Sequence, residues 1–195
     1  KKSSLGNFFE LYKKNILILG FGRIGQAVAK RCYGFESNIL IYDPYVDRKY
    51  IEKNNYKKVD LNEGLLLADL ITIHMPINKE TKNLISKDKF DLMKKECIIV
   101  NTARGGIINE IDLISSLVNK KIYGAGLDVY ENEPPKINDP LFRLDNIILT
   151  PHNAALTLEC RKRMSVEMSE NIIYYLEDKT KLNRNNIVNR KILNL

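Results

Sequence analysis

Residues 15–32 read NILILGFGRIGQAVAKRC. The first five form an apolar run rich in Ile and Leu that stops at Gly20. A short apolar run bounded by glycine predicts a buried strand. The last nine, IGQAVAKRC at 24–32, have helical composition, with Ile24, Ala27, Val28 and Arg31 at helical spacing. Between them, Gly20, Gly22 and Gly25 stand in G-x-G-x-x-G spacing. Alone that spacing is a weak signal. Here it follows a predicted strand and opens a predicted helix, which is the context it needs. The first glycine allows a tight turn, the second a close backbone approach to a pyrophosphate, the third close packing of helix on strand. The helix N-terminus then turns its unpaired N–H groups and positive dipole end toward the phosphates.

Working outward, strand-like and helix-like segments alternate. Strands are expected at 38–42 (NILIY), 70–75 (LITIHM), 97–100 (CIIV), 123–129 (YGAGLDV) and 146–150 (NIILT). Helices are expected at 61–68, at 86–93 with Ser86 as N-cap, at 109–119 and around 157–178. Met164, Met168, Ile172 and Leu176 recur at four-residue steps in the last of these. The strands are continuously apolar, as in a parallel sheet covered by helices on both faces. The expected fold is α/β, a doubly wound parallel sheet of the Rossmann, dinucleotide-binding type.

Asp43 ends the second strand, 18 residues past Gly25. A carboxylate there accepts both ribose hydroxyls of NAD and repels the 2′-phosphate of NADP. Asp43-Pro44 is also a plain turn starter, but motif, context and acid together favour a dinucleotide site.

The chain has 195 residues, 44% of them hydrophobic, which suits one domain with connecting ends. Cys32, Cys97 and Cys160 lie far apart with no C-x-x-C pair. Free thiols in a reducing, cytoplasmic compartment are expected, and no metal site. No apolar run approaches a membrane span, and no secretory signal is visible. The chain does not open on Met, so a fragment of a longer protein is expected. Of the net charge of +7, residues 1–14 carry +3 and residues 179–195 carry +5, so the centre is nearly neutral. Basic solvated ends explain this at least as well as a nucleic-acid surface.

Ligands of a doubly wound sheet sit outside the carboxyl ends of its strands. Three candidate groups fall there on successive strands: Arg104 in NTARGG, Glu133 in LDVYENEPP and His152 in ILTPHNAA. Gly105 and Gly106 behind the arginine predict a close approach or a positive φ. Glu131 is a near neighbour that competes with Glu133. His74, at the end of the third strand, is a structural histidine or lines the cleft. Together the three groups make a reaction. An arginine fork grips a carboxylate, and a histidine gives or takes a proton at a carbonyl oxygen. A carboxylate beside a histidine orients the ring and favours its cationic form. The implied substrate is a 2-oxo or 2-hydroxy acid.

On GFGRIG, YDPY, HMPINKETKNLI, NTARGGIINE, GAGLDVYENEPP and TPHNAALT, residues 12–178 resemble the NAD-binding domain of the D-isomer-specific 2-hydroxyacid dehydrogenases. The run is most similar to phosphoglycerate and related hydroxyacid dehydrogenases, which implies 3-phosphoglycerate, hydroxypyruvate or glyoxylate as the acid. The resemblance implies that Arg104, Glu133 and His152 are the catalytic trio. It implies NAD contacts at Gly20, Gly22, Arg23, Ile24, Gly25, Asp43, Pro76, Thr81, Thr102, Ala103, Asp128 and Ala154, with Arg104 and His152 also at the cofactor. It implies a homodimer made through this domain and a substrate domain formed by other parts of the chain. Residues 1–14 are then the segment entering the cofactor domain, 15–178 the domain itself, and 179–195 the segment returning. The formate-oxidising branch usually has an amide where Glu133 stands, which disfavours it. A non-enzymatic NAD-sensing corepressor of the same fold is the alternative. A hydrolase of adenosyl thioethers that uses NAD internally is disfavoured by the Arg/Glu/His pattern.

Overall fold

A computed structural model describes residues 9–183 and 187–189. The chain divides into two compact units, 1–152 and 153–195. The sequence reading carries the cofactor domain to 178, whereas this division falls after His152. The rest of the returning segment, 184–186 and 190–195, and residues 1–8 of the entering one lie outside the described residues.

In the first unit the strands are β1 (Asn15–Leu19), β2 (Asn38–Tyr42), β3 (Lys57–Lys58), β4 (Leu70–Ile73), β5 (Ile98–Asn101), β6 (Gly124–Leu127) and β7 (Ile147–Leu149). The helices are α1 (Arg23–Tyr33), α2 (Arg48–Glu52), α3 (Leu61–Leu67), α4 (Lys87–Phe90) and α5 (Glu110–Val118). All pairings are parallel, in the order β3-β2-β1-β4-β5-β6-β7. The order reverses between β1 and β4, and the crevice for a ligand opens at that reversal.

Side chains alternate across a strand, and β1 shows both faces buried. Ile16 and Ile18 pack with Ile39, Ile41, Phe21 and Ala29. Leu17 and Leu19 pack with Leu40, Leu65, Ile71 and Ile73 on the other side. Each such fully buried Leu or Ile contributes roughly 1.5–3 kcal/mol. At Gly64 in α3, an added Cβ would meet Leu17 Cδ1 at 2.7 Å, so the helix lies close on the sheet. Ser86 does occupy the N-cap of α4, but its hydroxyl donates to Asp88 Oδ1 at 2.7 Å instead of accepting a backbone N–H.

The second unit holds α6 (Leu158–Glu177), capped by Thr157, whose side chain accepts from the Cys160 N–H. None of its residues is buried, and Leu158, Met164, Met168, Ile172 and Leu176 are exposed. No helix among the described residues is long and apolar enough to cross a membrane.

Candidate active site

The sheet ends in one level row. Tyr42, Leu19, Ile73, Asn101, Leu127 and Leu149 stand side by side in register. The next residue of each strand is therefore Asp43, Gly20, His74, Thr102, Asp128 or Thr150. Parallel pairing thus brings residues far apart in sequence onto one rim.

At β1 the chain turns at once. Gly20 has φ +94°, and a Cβ there would meet the His74 carbonyl oxygen at 2.7 Å. The same addition at Gly25 would collide with the Gly20 carbonyl. At Gly22, the N-cap of α1, a Cβ would meet no atom within 4 Å. Gly20 and Gly25 are demanded by the protein's own packing. Gly22 faces open space before the first-turn N–H groups of α1, which have no intrahelical acceptor. Asp43 accepts from the Phe21 N–H at 2.8 Å and from the Tyr45 N–H at 2.9 Å. A carboxylate has about four acceptor sites, so others are left for a ligand.

Ile24, His74, Met75, Pro76, Thr102, Ala103 and Arg104 line a cavity of about 220 Å³. Five of these were expected at the cofactor: Ile24, Pro76, Thr102, Ala103 and Arg104. Ile24 is 68% exposed although apolar. Arg23 is exposed beside it. His74 lines the cleft, with Nε2 2.9 Å from Thr72 Oγ1, and burial pushes its pKa down, toward the neutral ring. Thr81 is turned onto its own loop: its hydroxyl donates to the Pro76 carbonyl at 2.7 Å and fixes the segment that carries Pro76. Asp128 is buried and accepts from the Thr150 hydroxyl. Ala154 lies past His152, in the second unit.

Arg104 is exposed and donates from Nη1 to the Ala103 carbonyl at 2.6 Å. The buried Asn101 shapes its turn. Asn101 Oδ1 accepts from the Ala103 N–H at 3.0 Å, and Nδ2 donates to the Arg104 carbonyl at 2.9 Å. A Cβ on Gly105 would fall on the Tyr130 carbonyl, and Gly106 has φ +77°. The two glycines therefore serve the two needs the sequence suggested, a close approach and a positive φ.

His152 Nδ1 lies 2.7 Å from Glu133 Oε2, and Glu133 Oε1 accepts from the Tyr130 N–H at 3.0 Å. The Tyr130 hydroxyl donates to the Thr150 carbonyl at 2.8 Å, so one tyrosine braces both sides of the pair. The His152 hydrogen bond, then the Tyr130 N–H, hold the Glu133 carboxyl below its ordinary pKa, with Arg104 adding to the effect. His152 sits at φ +51°, in the left-handed region. Glu131 faces elsewhere. Its Oε1 accepts from the Glu110 N–H at 3.0 Å, and Glu110 Oε1 accepts from the Glu131 N–H at 2.6 Å.

Residues 2–154 match the family described as D-isomer specific 2-hydroxyacid dehydrogenase, NAD binding domain. The chain belongs to that family.

D-3-phosphoglycerate dehydrogenase of Archaeoglobus fulgidus is 44% identical over 164 residues, covering 84% of this chain and 31% of that protein. Hydroxypyruvate reductase of Thermotoga maritima is 41% identical over 165 residues, covering 84% and 53%. The crystal structure of D-lactate dehydrogenase with NAD+ from Lactobacillus jensenii superposes with a TM-score of 0.80 at 29% identity, covering 90% and 56%. The chain thus spans about a third to a half of the length of these relatives. NAD is the family's cofactor, as expected, and the glycine turn, the open space before Gly22 and Asp43 fit it. Sequence reasoning passed over Asn101 and Tyr130. Asn101 had a signal, a polar side chain closing the apolar strand IIVN. Tyr130 had none.

Proposed function

We propose that this chain is the cofactor-binding part of an enzyme that transfers a hydride between NAD(H) and a D-2-hydroxy acid or its 2-oxo acid. Phosphoglycerate, hydroxypyruvate and glyoxylate are the substrate candidates, from the chemistry of the relatives. The observation that carries the reading is the 2.7 Å bond from His152 Nδ1 to Glu133 on the rim that also bears Arg104 and the glycine turn.

NAD, when bound, takes or supplies the hydride. Gly20, Gly22 and the first turn of α1 hold its phosphates, Asp43 its ribose, and Ile24, Pro76, Thr102 and Ala103 the walls around it. Glu133, as an acceptor, keeps a proton on His152 Nδ1, which leaves Nε2 to exchange a proton with the substrate oxygen. In reduction Nε2 gives that proton to the carbonyl oxygen. In oxidation it takes the hydroxyl proton. The Arg104 fork grips the substrate carboxylate and fixes the carbon to be reduced.

The protein works in the cytoplasm as a homodimer, within the 15–178 domain plan of the sequence. Three free cysteines suit a reducing compartment, and the exposed apolar residues of α6 suit a covered face. The test is product analysis after reduction of hydroxypyruvate with NADH by the full-length enzyme that contains this chain. D-Glycerate is expected. No product, or the L-isomer, contradicts the proposal, and NAD binding without turnover points to a sensor.

A further inference from the structure

Glu133 stands in the connection between β6 and β7, in a stretch with no regular structure. No ladder or helix bond sets its place. Its position therefore depends on what ties residues 130–133 to the elements around them. Tyr130 is one tie. Another lies at the start of α5, where Glu110 and Glu131 hold each other's backbone. The Glu110 N–H donates to Glu131 Oε1 at 3.0 Å, and the Glu131 N–H donates to Glu110 Oε1 at 2.6 Å. Glu110 is the first residue of α5, so its N–H has no acceptor within the helix. The helix itself is rooted: Asn109 accepts from the Asp112 N–H at 3.0 Å, and Leu113 and Leu117 are buried. In the same connection Gly105 already lies against the Tyr130 carbonyl. Residues 130 and 131 are thus held at adjacent points, just before Glu133. Glu110 is half-buried, and burial, then Glu131 and Asp139, push its pKa up against the pull of the Glu131 N–H. An acceptor is what this clamp uses, and a charge is not.

We infer that Glu110 is a positioning residue for the proposed reaction: by holding the Glu131 backbone it keeps Glu133 on His152 Nδ1. The inference rests on the proton-transfer reading of the His152–Glu133 pair. Glu110 does not line the cavity beside Arg104, so its loss should spare both cofactor and substrate binding.

The test is steady-state reduction of hydroxypyruvate by NADH in the full-length enzyme that contains this chain, with NADH titration and thermal melting of every variant. Glu110→Ala should lower kcat about tenfold, since a catalytic group out of place costs up to about 10²-fold. KM for hydroxypyruvate and affinity for NADH should stay within about twofold of the parent. Glu110→Gln keeps an acceptor and should bring kcat back to within about twofold. The decisive readout is a double-mutant cycle. In a Glu133→Ala background, Glu110→Ala should cost less than about a further twofold, because the group it positions is gone. If Glu110→Ala melts below the assay temperature, Glu131→Ala carries the same cycle, with about a threefold loss in the parent and none in Glu133→Ala. An equal loss in both backgrounds, no loss in the parent, or no rescue by Glu110→Gln overturns the inference and leaves the proton-transfer reading intact. Parental kcat in Glu133→Ala removes that reading itself.

Discussion

The His152 hydrogen bond and the Tyr130 N–H favour the charged form of Glu133 and hold its pKa below the ordinary value. Its ordinary pKa is about 4.3, and a depressed value keeps the stabilising pair intact above that pH, losing it as pH falls through the lowered value. Any acid limb of activity between pH 5 and 8 should therefore not arise from Glu133. Glu133→Gln should leave such a limb in place and lower kcat less than loss of His152 does. A limb that vanishes in that variant would assign it to Glu133 after all. Gly105→Ala should be among the most damaging single-methyl changes, since the new Cβ lands on the Tyr130 carbonyl. A shift in urea midpoint worth about 1–3 kcal/mol is expected, and a neutral result would mean the two segments part easily. The glycine requirement was legible in the sequence as an Arg-Gly-Gly run. The partner was not, because Tyr130 is 25 residues away and only the fold brings it there. Likewise composition could not separate Glu131 from Glu133. Their hydrogen bonds do, one to Glu110 and one to His152.

At the scale of elements, β5 and its turn carry Arg104 because Asn101 satisfies two backbone groups at once. Asn101→Ala should cost about 1–3 kcal/mol by leaving the part-buried Ala103 N–H and Arg104 carbonyl unpaired. Chemical denaturation measures this, and a cost below about 0.5 kcal/mol would show that water replaces the amide. Apolar runs ending in glycine, proline or a polar corner made six strands readable to within a few residues. The seventh, β3, is Lys57–Lys58. Two lysines carry no apolar signal, and lysine is what protects an edge strand from stray pairing. Helix α2 was also passed over. Five residues are too few to show a period, although its Asp47 cap accepts from the Lys49 N–H at 2.7 Å. The level row of strand ends was legible only as an inference from parallel topology, because register does not appear in one chain's sequence.

At the scale of the whole molecule, the doubly wound sheet makes the rim on which the proposed cofactor and substrate sites lie. Asp43 should make this chain bind NAD well and NADP poorly, since a carboxylate would meet the 2′-phosphate. Comparable affinities by titration would remove Asp43 from the ribose site. Saturating NAD at 100 times its Kd should stabilise the fold by about 2.7 kcal/mol. Sedimentation should show a dimer, and a clean monomer at high concentration would contradict the assembly proposed from α6. The central claim is that His152 moves the proton at the substrate oxygen. The direct measurement is reduction of glyoxylate and hydroxypyruvate by NADH in the full-length enzyme, comparing parent and His152→Ala protein with NADH affinity measured on the same samples. The account predicts a fall in kcat of about 10²–10⁴ with NADH affinity nearly unchanged. Undiminished kcat in His152→Ala would contradict it.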